Sequence, residues 1–289
     1  MAPKVDARSL ARLMSNAGFR DLTTGSKRSG YVRRMKRYLG WEQMEAHRPQ
    51  TIDQLLTAGY QSLLREYRHE YLYKSALLNQ YVLRKYSLND TILLNEFRIG
   101  KSVADAVLVN GTNKVFEIKT ELDSPDRLNT QLADYYKAFS QVYLFVHERS
   151  QDKYRSVVDE KVGLILFTDS GDVLECRHAT RDLSLLDSGT MMRSLRKAEY
   201  LELVKRLAGF IPDVPPVQLF KTCLGILTDF PPAEVQGHYH SIIKSRICKE
   251  TSRIIREYDL PDYLKFPFYT LSLTESHYLS LQKILNTNI

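Results

Sequence analysis

The stretch SVADAVLVNGTNKVFEIKTEL, Ser102 to Leu122, constrains the fold more than any other part of the chain. Val103, Asp105, Val107 and Val109 alternate with Ala104, Ala106 and Leu108, and Asn110-Gly111 follows as a turn signal. That period of two, closed by a turn dipeptide, predicts a β-hairpin. The return strand sets Val115, Glu117 and Lys119 on one face, with Phe116, Ile118 and Leu122 on the other. Charged groups that interrupt apolar strands are costly to bury unless they find partners or a metal. Asp105, Glu117 and Lys119 therefore ask for a chemical reason.

Two carboxylates on adjacent strands suit a hard divalent cation such as Mg²⁺ or Mn²⁺, which prefers oxygen ligands and keeps several waters. Such a cation lowers the pKa of a bound water and polarises a phosphoryl oxygen. An ammonium two residues along the strand is placed to orient that water or to steady charge developing on the phosphate. Between them, Ile118 can offer its backbone carbonyl. Beyond a loop containing Pro125, a helical segment carries Gln131 and Tyr135, four apart and so on one face. A lone Glu-x-Lys on a strand is weak evidence, since its ordinary reading is a solvated face. Its strength here lies in the ordered combination.

That combination, Asp105, then Glu117-Ile118-Lys119, then Gln131-Leu-Ala-Asp-Tyr135, resembles the PD-(D/E)XK nuclease superfamily, and the QxxxY element is similar to its RecB-like group. The wider run NEFRIGKSVADAVLVNG, EIKTELDS and QLADY also resembles an uncharacterised family of such domains in bacteria and their mobile elements. The resemblance covers roughly residues 52 to 146, about a third of the chain. It departs from the superfamily pattern at Ala104, where a proline often stands. The resemblance implies a restriction-endonuclease-like α/β fold, with a mixed sheet flanked by helices, and metal-dependent hydrolysis of phosphodiester bonds, chiefly in DNA. Glu70, Asp105, Glu117 and the Ile118 carbonyl would hold Mg²⁺ or Mn²⁺. Asp105, Glu117, Lys119, Gln131 and Tyr135 would form the catalytic set, with Lys119 positioning water and Gln131 and Tyr135 steadying it, the lysine or a substrate phosphate. Phage defence, restriction and repair are the settings that such an activity suggests.

A helical pattern from Ile52 to Lys85 precedes the hairpin, with Leu55, Leu56, Tyr60, Leu63, Leu64, Tyr67, Tyr71 and Ala76 near the helical period. On it, Glu70 is the acid the resemblance favours, and Glu66 lies one turn earlier on the same expected face. The ordinary reading of Glu70 is an i,i+4 pair with Lys74. Glu96, in an expected strand Thr91 to Ile99, is a rival acid.

The chain has 289 residues, a net charge of +7 and a pI near 9.1, a balance that suits a polyanionic partner. Met1 to Gly40 carries ten Lys and Arg against Asp6 and Asp21. Within it, Lys27, Arg28, Arg33, Arg34, Lys36 and Arg37, interleaved with Tyr31, Tyr38 and Trp41, are candidate nucleic-acid contacts for double- or single-stranded DNA. The competing reading is an amphipathic helix with a solvated cationic face and its tyrosines in the core. Cys176, Cys223 and Cys248 show no zinc or disulfide spacing. The absence of a membrane-length apolar run and of a secretion signal implies a soluble, cytoplasmic protein.

Further strands are expected at Gln141 to Glu148, Lys161 to Asp169 and Val173 to Arg177. Past Thr180, helices are expected at Met191 to Ala208, Gln218 to Thr228, Ala233 to Tyr258 and Thr274 to Asn286, separated by Pro-rich breakers. The Ala233 to Tyr258 segment carries Lys244, Arg246, Lys249, Arg253 and Arg256, a candidate second phosphate face. The expected organisation is a basic helical segment (1–50), a nuclease core (51–179) and a helical C-terminal extension (180–289), the last suited to a homodimer or protein-partner interface. The alternative is a non-catalytic nucleic-acid-binding or partner-scaffold protein of the same fold.

Overall fold

A computed structural model describes residues 5–44 and 48–289, so Lys4 of the basic segment lies outside it. The chain divides into two compact units. The first comprises residues 1–85, 169–171 and 248–289; the second comprises 86–168 and 172–247.

Unit 1 is helical. Its N-terminal part contains α1 (Ala7–Leu13), α2 (Asn16–Thr23), α3 (Gly25–Leu39), α4 (Ile52–Glu66) and α5 (Glu70–Ala76), which runs on through a wider π turn, Leu77–Val82, to Leu83–Lys85. On α3 the buried residues are Tyr31, Met35 and Leu39, a stripe at i, i+4, i+8, while Arg33 and Arg37 are exposed. This is the amphipathic pattern expected of a surface helix, with Tyr31 in the core and its hydroxyl donating to the Leu13 carbonyl at 3.2 Å.

The expected continuous helix from Ile52 to Lys85 is broken at Tyr67–His69. Tyr67 has φ −156° and ψ 88°, and His69 is extended at φ −81° and ψ 164°. In an extended chain residues i, i+2 and i+4 share a side. Tyr67 and His69 accordingly stack, with ring centroids 6.1 Å apart, and Tyr71 in the first turn of α5 stacks on His69 at 5.9 Å. His69 Nε2 lies 3.1 Å from the Met14 carbonyl. The break ends the helical register between Glu66 and Glu70, so these two acids do not share one helical face.

In unit 2 a six-stranded sheet has the order β1 (Ile92–Ile99), β2 (Ser102–Val109), β3 (Lys114–Lys119), β4 (Gln141–His147), β5 (Gly163–Phe167) and β6 (Val173–Arg177). β1, β2 and β3 pair antiparallel, β3, β4 and β5 pair parallel, and β6 returns antiparallel on β5. The crossover from β3 to β4 carries α6 (Leu128–Tyr136), which packs on β2 and β4. A short helix, α7 (Gln151–Arg155), precedes β5. The mixed α/β sheet flanked by helices is the expected fold class.

Helices α8 (Ser188–Arg193), α9 (Lys197–Ala208), α10 (Pro216–Leu227) and α11 (Pro232–Lys244) bury Met191, Leu203, Cys223, Leu227, Tyr239 and Ile243 in one apolar cluster with Val107, Val115, Val142 and Leu144 of the sheet. Proline stands at the first position of α10 and α11, where its missing N–H costs nothing. The expected helix Met191 to Ala208 is interrupted at 194–196, where the Arg196 N–H donates to Glu199 Oε2 at 2.8 Å and starts α9.

The remaining helices, α12 (Lys249–Glu257), α13 (Asp262–Thr270) and α14 (Glu275–Leu285), belong to unit 1. There Tyr263 Oη donates to Asp53 Oδ1 at 2.6 Å, and Thr51 bridges Asn288. The expected C-terminal extension is thus shared between the two units, and the single helix expected from Ala233 to Tyr258 is two helices. Its proposed cationic face is dispersed as well. Arg246 makes a two-pronged pair with Glu199 at 2.7 and 2.6 Å, and Arg253 pairs with Glu275 at 2.7 Å.

His240 of α11 is buried beside Phe139, and its Nδ1 lies 2.6 Å from Asn113 Nδ2 in the β2–β3 turn. That contact uses the neutral ring. Burial holds the imidazole down to about 3 from its ordinary 6.5. Below pH 6.5 the unfolded chain takes up a proton here that the folded chain refuses, so the stability is full above 6.5 and falls as pH drops toward 3. Urea midpoints measured from pH 7 to pH 4 are expected to fall less steeply in His240→Gln than in the wild type. Parallel pH profiles would contradict this assignment.

Candidate active site

The β2–β3 ladder stops short of its natural end. Its recorded pairs are Leu108 with Lys114, Val107 with Val115 and Ala106 with Phe116. In that register Asp105 would face Glu117, and Ala104 would pair with Ile118. Neither pair forms, and Asp105 Oδ2 instead accepts the Ile118 N–H at 2.7 Å. In a β-strand the N–H and C=O of one residue point to the same side. The Ile118 carbonyl therefore faces the gap where β2 leaves the ladder, on the side of Asp105.

A second irregularity lies on the other side of β2. Asn95 pairs with Ala106 and Phe97 with Ala104, skipping the position of Glu96 opposite Asp105. Glu96 is exposed and has φ +55°, a left-handed conformation that non-glycine residues seldom adopt. The rival acid of the sequence reading thus stands at a local kink beside Asp105.

Glu117 is 2% exposed, and its two oxygens have different partners. Lys119 Nζ lies 2.8 Å from Oε1, and Tyr135 Oη donates to Oε2 at 2.5 Å. Tyr135 Oη is also 3.0 Å from the Val103 carbonyl, at the start of β2. Burial, followed by the Glu117 charge, pushes the phenol far above its ordinary value, so Tyr135 stays a donor. Lys119 Nζ also donates to Gln131 Oε1 at 3.0 Å. Glu117, Lys119, Gln131 and Tyr135 form one hydrogen-bonded group, and the residue joining Glu117 to Lys119 is the one whose N–H Asp105 accepts.

α6 delivers Gln131 and Tyr135 because its register is pinned by a residue that the sequence reading passed over. Asp134, buried, accepts from the Lys101 N–H at 3.1 Å, Ser102 Oγ at 2.9 Å and Lys137 Nζ at 2.7 Å. Burial alone would raise this carboxyl, but hydrogen bonds from Lys137 and Ser102 outweigh it and hold it below its ordinary value. The signal was Gly100, at φ +62°, where an added Cβ would sit 3.0 Å from Asp134 Oδ1. The loop before α6 is likewise set by Asp123, whose Oδ2 accepts from the Thr120 N–H at 2.7 Å and Thr120 Oγ1 at 2.8 Å. Tyr154 Oη holds the Asp123 carbonyl at 3.0 Å.

Glu70 is in unit 1, where its carboxylate meets Lys74 Nζ at 2.5 Å, the pairing of its ordinary reading. The α3 cations divide. Lys27 and Arg34 pair with Asp21 at 3.2 and 3.3 Å, and Arg28 Nε donates to the Leu22 carbonyl at 3.0 Å. Lys36 lies over the Trp41 ring, 4.1 Å from its centroid, and Arg37 over Tyr38 at 4.6 Å.

The donor set in unit 2 fits a hard divalent cation. Asp105, Glu117 and the Ile118 carbonyl offer only oxygen, and each Glu117 oxygen that accepts one hydrogen bond keeps a further lone pair. Among the described residues no helix is long and apolar enough to cross a membrane.

Comparison with known proteins finds three similarities. A relative, protein cII of Enterobacteria phage P4, is 23% identical over 181 residues, covering 58% of this chain and 67% of that protein. A solved structure of a protein of unknown function from Silicibacter pomeroyi matches 37% of this chain and 69% of its own, with 14% identity and a TM-score of 0.30. The sequence profile of the family described as bacteriophage P4 protein cII matches residues 64–260. That match spans more than half of the chain, and the protein belongs to the bacteriophage P4 protein cII family.

Proposed function

We propose that unit 2 is a PD-(D/E)XK-type nuclease that hydrolyses phosphodiester bonds in DNA with Mg²⁺ or Mn²⁺. One observation carries the reading: a buried Glu117 carboxylate, shared between Lys119 and Tyr135, immediately precedes Ile118, whose N–H Asp105 accepts where the β2–β3 ladder opens. A core that needed only packing would fill these positions with apolar side chains, since a buried ion pair seldom improves stability over them. Asp105, Glu117 and the Ile118 carbonyl would hold the cation, which when bound supplies a water of lowered pKa and charge neutralisation at the phosphoryl oxygens.

The chain's own groups do the rest. Lys119, held between Glu117 and Gln131, orients the attacking water and steadies negative charge building on the phosphate. Tyr135 fixes the Glu117 rotamer by donating to Oε2. Asp134 keeps α6, and with it Gln131 and Tyr135, in place against β2. Membership of a family named for a phage protein supports a mobile-element setting for this activity.

A second reading, a non-catalytic nucleic-acid-binding or scaffold protein of the same fold, draws on the fact that both Glu117 oxygens already have donors within the protein. Calorimetric titration of the full chain with Mn²⁺ separates the two. The nuclease reading expects one site in the wild type that is lost in Asp105→Asn. Equal Mn²⁺ affinity in both proteins would overturn the ligand assignment and favour the second reading.

A further inference from the structure

Helix α3 carries two cationic stripes with different surroundings. Lys27 and Arg34 are turned onto Asp21 of α2. Arg28, Arg33, Lys36 and Arg37 line a cavity of about 820 Å³ within unit 1, with Trp41 among its walls and Glu42 the one acidic side chain among the described residues of its lining. Residues 287–289 form another wall. They are tied down by the Ile52 N–H donating to the Thr287 carbonyl at 3.1 Å and the Ile289 N–H to the Gln50 carbonyl at 2.9 Å.

Two of these cations are preset. Lys36 rests over the Trp41 ring at 4.1 Å, and Arg48, outside the lining, lies 4.5 Å from the same centroid. The Arg37 guanidinium lies over Tyr38, with an N–H donating to Tyr38 Oη at 2.7 Å. An aromatic face attracts a cation without neutralising it and restricts its rotamers, so less order is lost when an anion arrives. Four positive side chains from one helix, opposed among the described side chains by Glu42 alone, favour a ligand with more than one negative charge. The volume is in the range of small-ligand pockets and suits one or two nucleotide units.

We infer that this cavity seats a short segment of a single nucleic-acid strand, with backbone phosphates on Arg33, Lys36 and Arg37. The inference rests on the nucleic-acid substrate proposed above but not on cleavage. It narrows the six candidate cations of the sequence reading to the cavity-lining stripe and leaves Lys27 and Arg34 outside it.

The test is fluorescence anisotropy of a labelled 12-nucleotide single strand against the full chain, in EDTA, over a series of salt concentrations. Three proteins are compared: the wild type, the cavity variant Arg33→Ala/Arg37→Ala, and Lys27→Ala/Arg34→Ala, which loses the same charge from the other stripe. The cavity variant is expected to lose about tenfold in affinity or more, and its salt slope to shallow by about 1.4, or about 0.7 per lost phosphate contact on a single strand. The control pair is expected to stay within about twofold of the wild type. An unlabelled mononucleotide at equal phosphate concentration is expected to leave the strand bound. Equal weakening of both variants, full displacement by the mononucleotide, or no strand binding by the wild type would each overturn the inference. Cleavage is scored separately in Mg²⁺. Cavity-dependent binding without cutting sinks the nuclease reading alone, and cutting without any difference between the variants sinks the cavity assignment alone.

Discussion

Asp105→Asn is expected to reduce metal-dependent DNA cleavage by about 10³-fold or more while leaving the fold in place. The substitution is isosteric, and the Asn carbonyl oxygen can still accept the Ile118 N–H that Asp105 Oδ2 accepts at 2.7 Å. What changes is the other end of the side chain, where an acceptor oxygen becomes an NH₂ donor facing the position proposed for a cation. A metal's share of phosphoryl-transfer catalysis is several kcal/mol, and about 4 kcal/mol corresponds to that loss of rate. Near-UV circular dichroism and the urea midpoint should match the wild type. A variant that unfolds would show Asp105 to be a structural tie, and one that cuts at the wild-type rate would remove it from the site.

Lys119→Ala is expected to lower folding stability by about 3 to 5 kcal/mol, the usual cost of stripping one partner from a buried ion pair. Glu117 is 2% exposed and the Lys119 side chain 12%, so solvent screens neither charge well. With Lys119 gone, Glu117 keeps the Tyr135 hydroxyl but loses the cation at 2.8 Å. The double variant Glu117→Leu/Lys119→Met replaces both charges with apolar groups and should recover most of the loss. Urea denaturation of the three proteins measures this directly. If Lys119→Ala is as stable as the wild type, the pair is not buried in solution as described. If the double variant is no better than the single, the cost lies in packing and not in charge. The double variant should be stable and inactive, which is the pattern expected when charge is kept for function at the expense of stability.

The hairpin and its charges were legible because their signal is local. Period-two alternation around Asp105, the Asn110-Gly111 turn, Glu117 and Lys119 two apart, and Gln131 and Tyr135 four apart all lie within a few residues of one another, and the structure brings the last four side chains into one hydrogen-bonded group. The gap in the β2–β3 ladder was not legible. It depends on the Asp105 carboxylate taking a backbone N–H, which strand propensity does not encode. Glu66 and Glu70 were read on one face because the 3.6 period continues through Tyr67–His69. The break is written in a competing period of two, Tyr67, His69 and Tyr71, and His69 meets the Met14 carbonyl, 55 residues away. The assignment of residues 249–285 to the N-terminal helices is equally non-local, resting on contacts such as Tyr263 with Asp53 across 210 residues. Asp134 was overlooked because its three donors lie on the β1–β2 turn, on β2 and just past α6. Only Gly100 hinted at the close approach.

The most direct test of the nuclease assignment is a cleavage assay on linear, circular and single-stranded DNA, comparing wild type with Asp105→Asn in Mg²⁺, Mn²⁺ and EDTA. The account predicts cutting by the wild type in either metal, none in EDTA, and cutting by the variant slower by about 10³-fold or more. A folded wild type that leaves every substrate intact in both metals, or an Asp105→Asn protein that cuts as fast as the wild type, would contradict it.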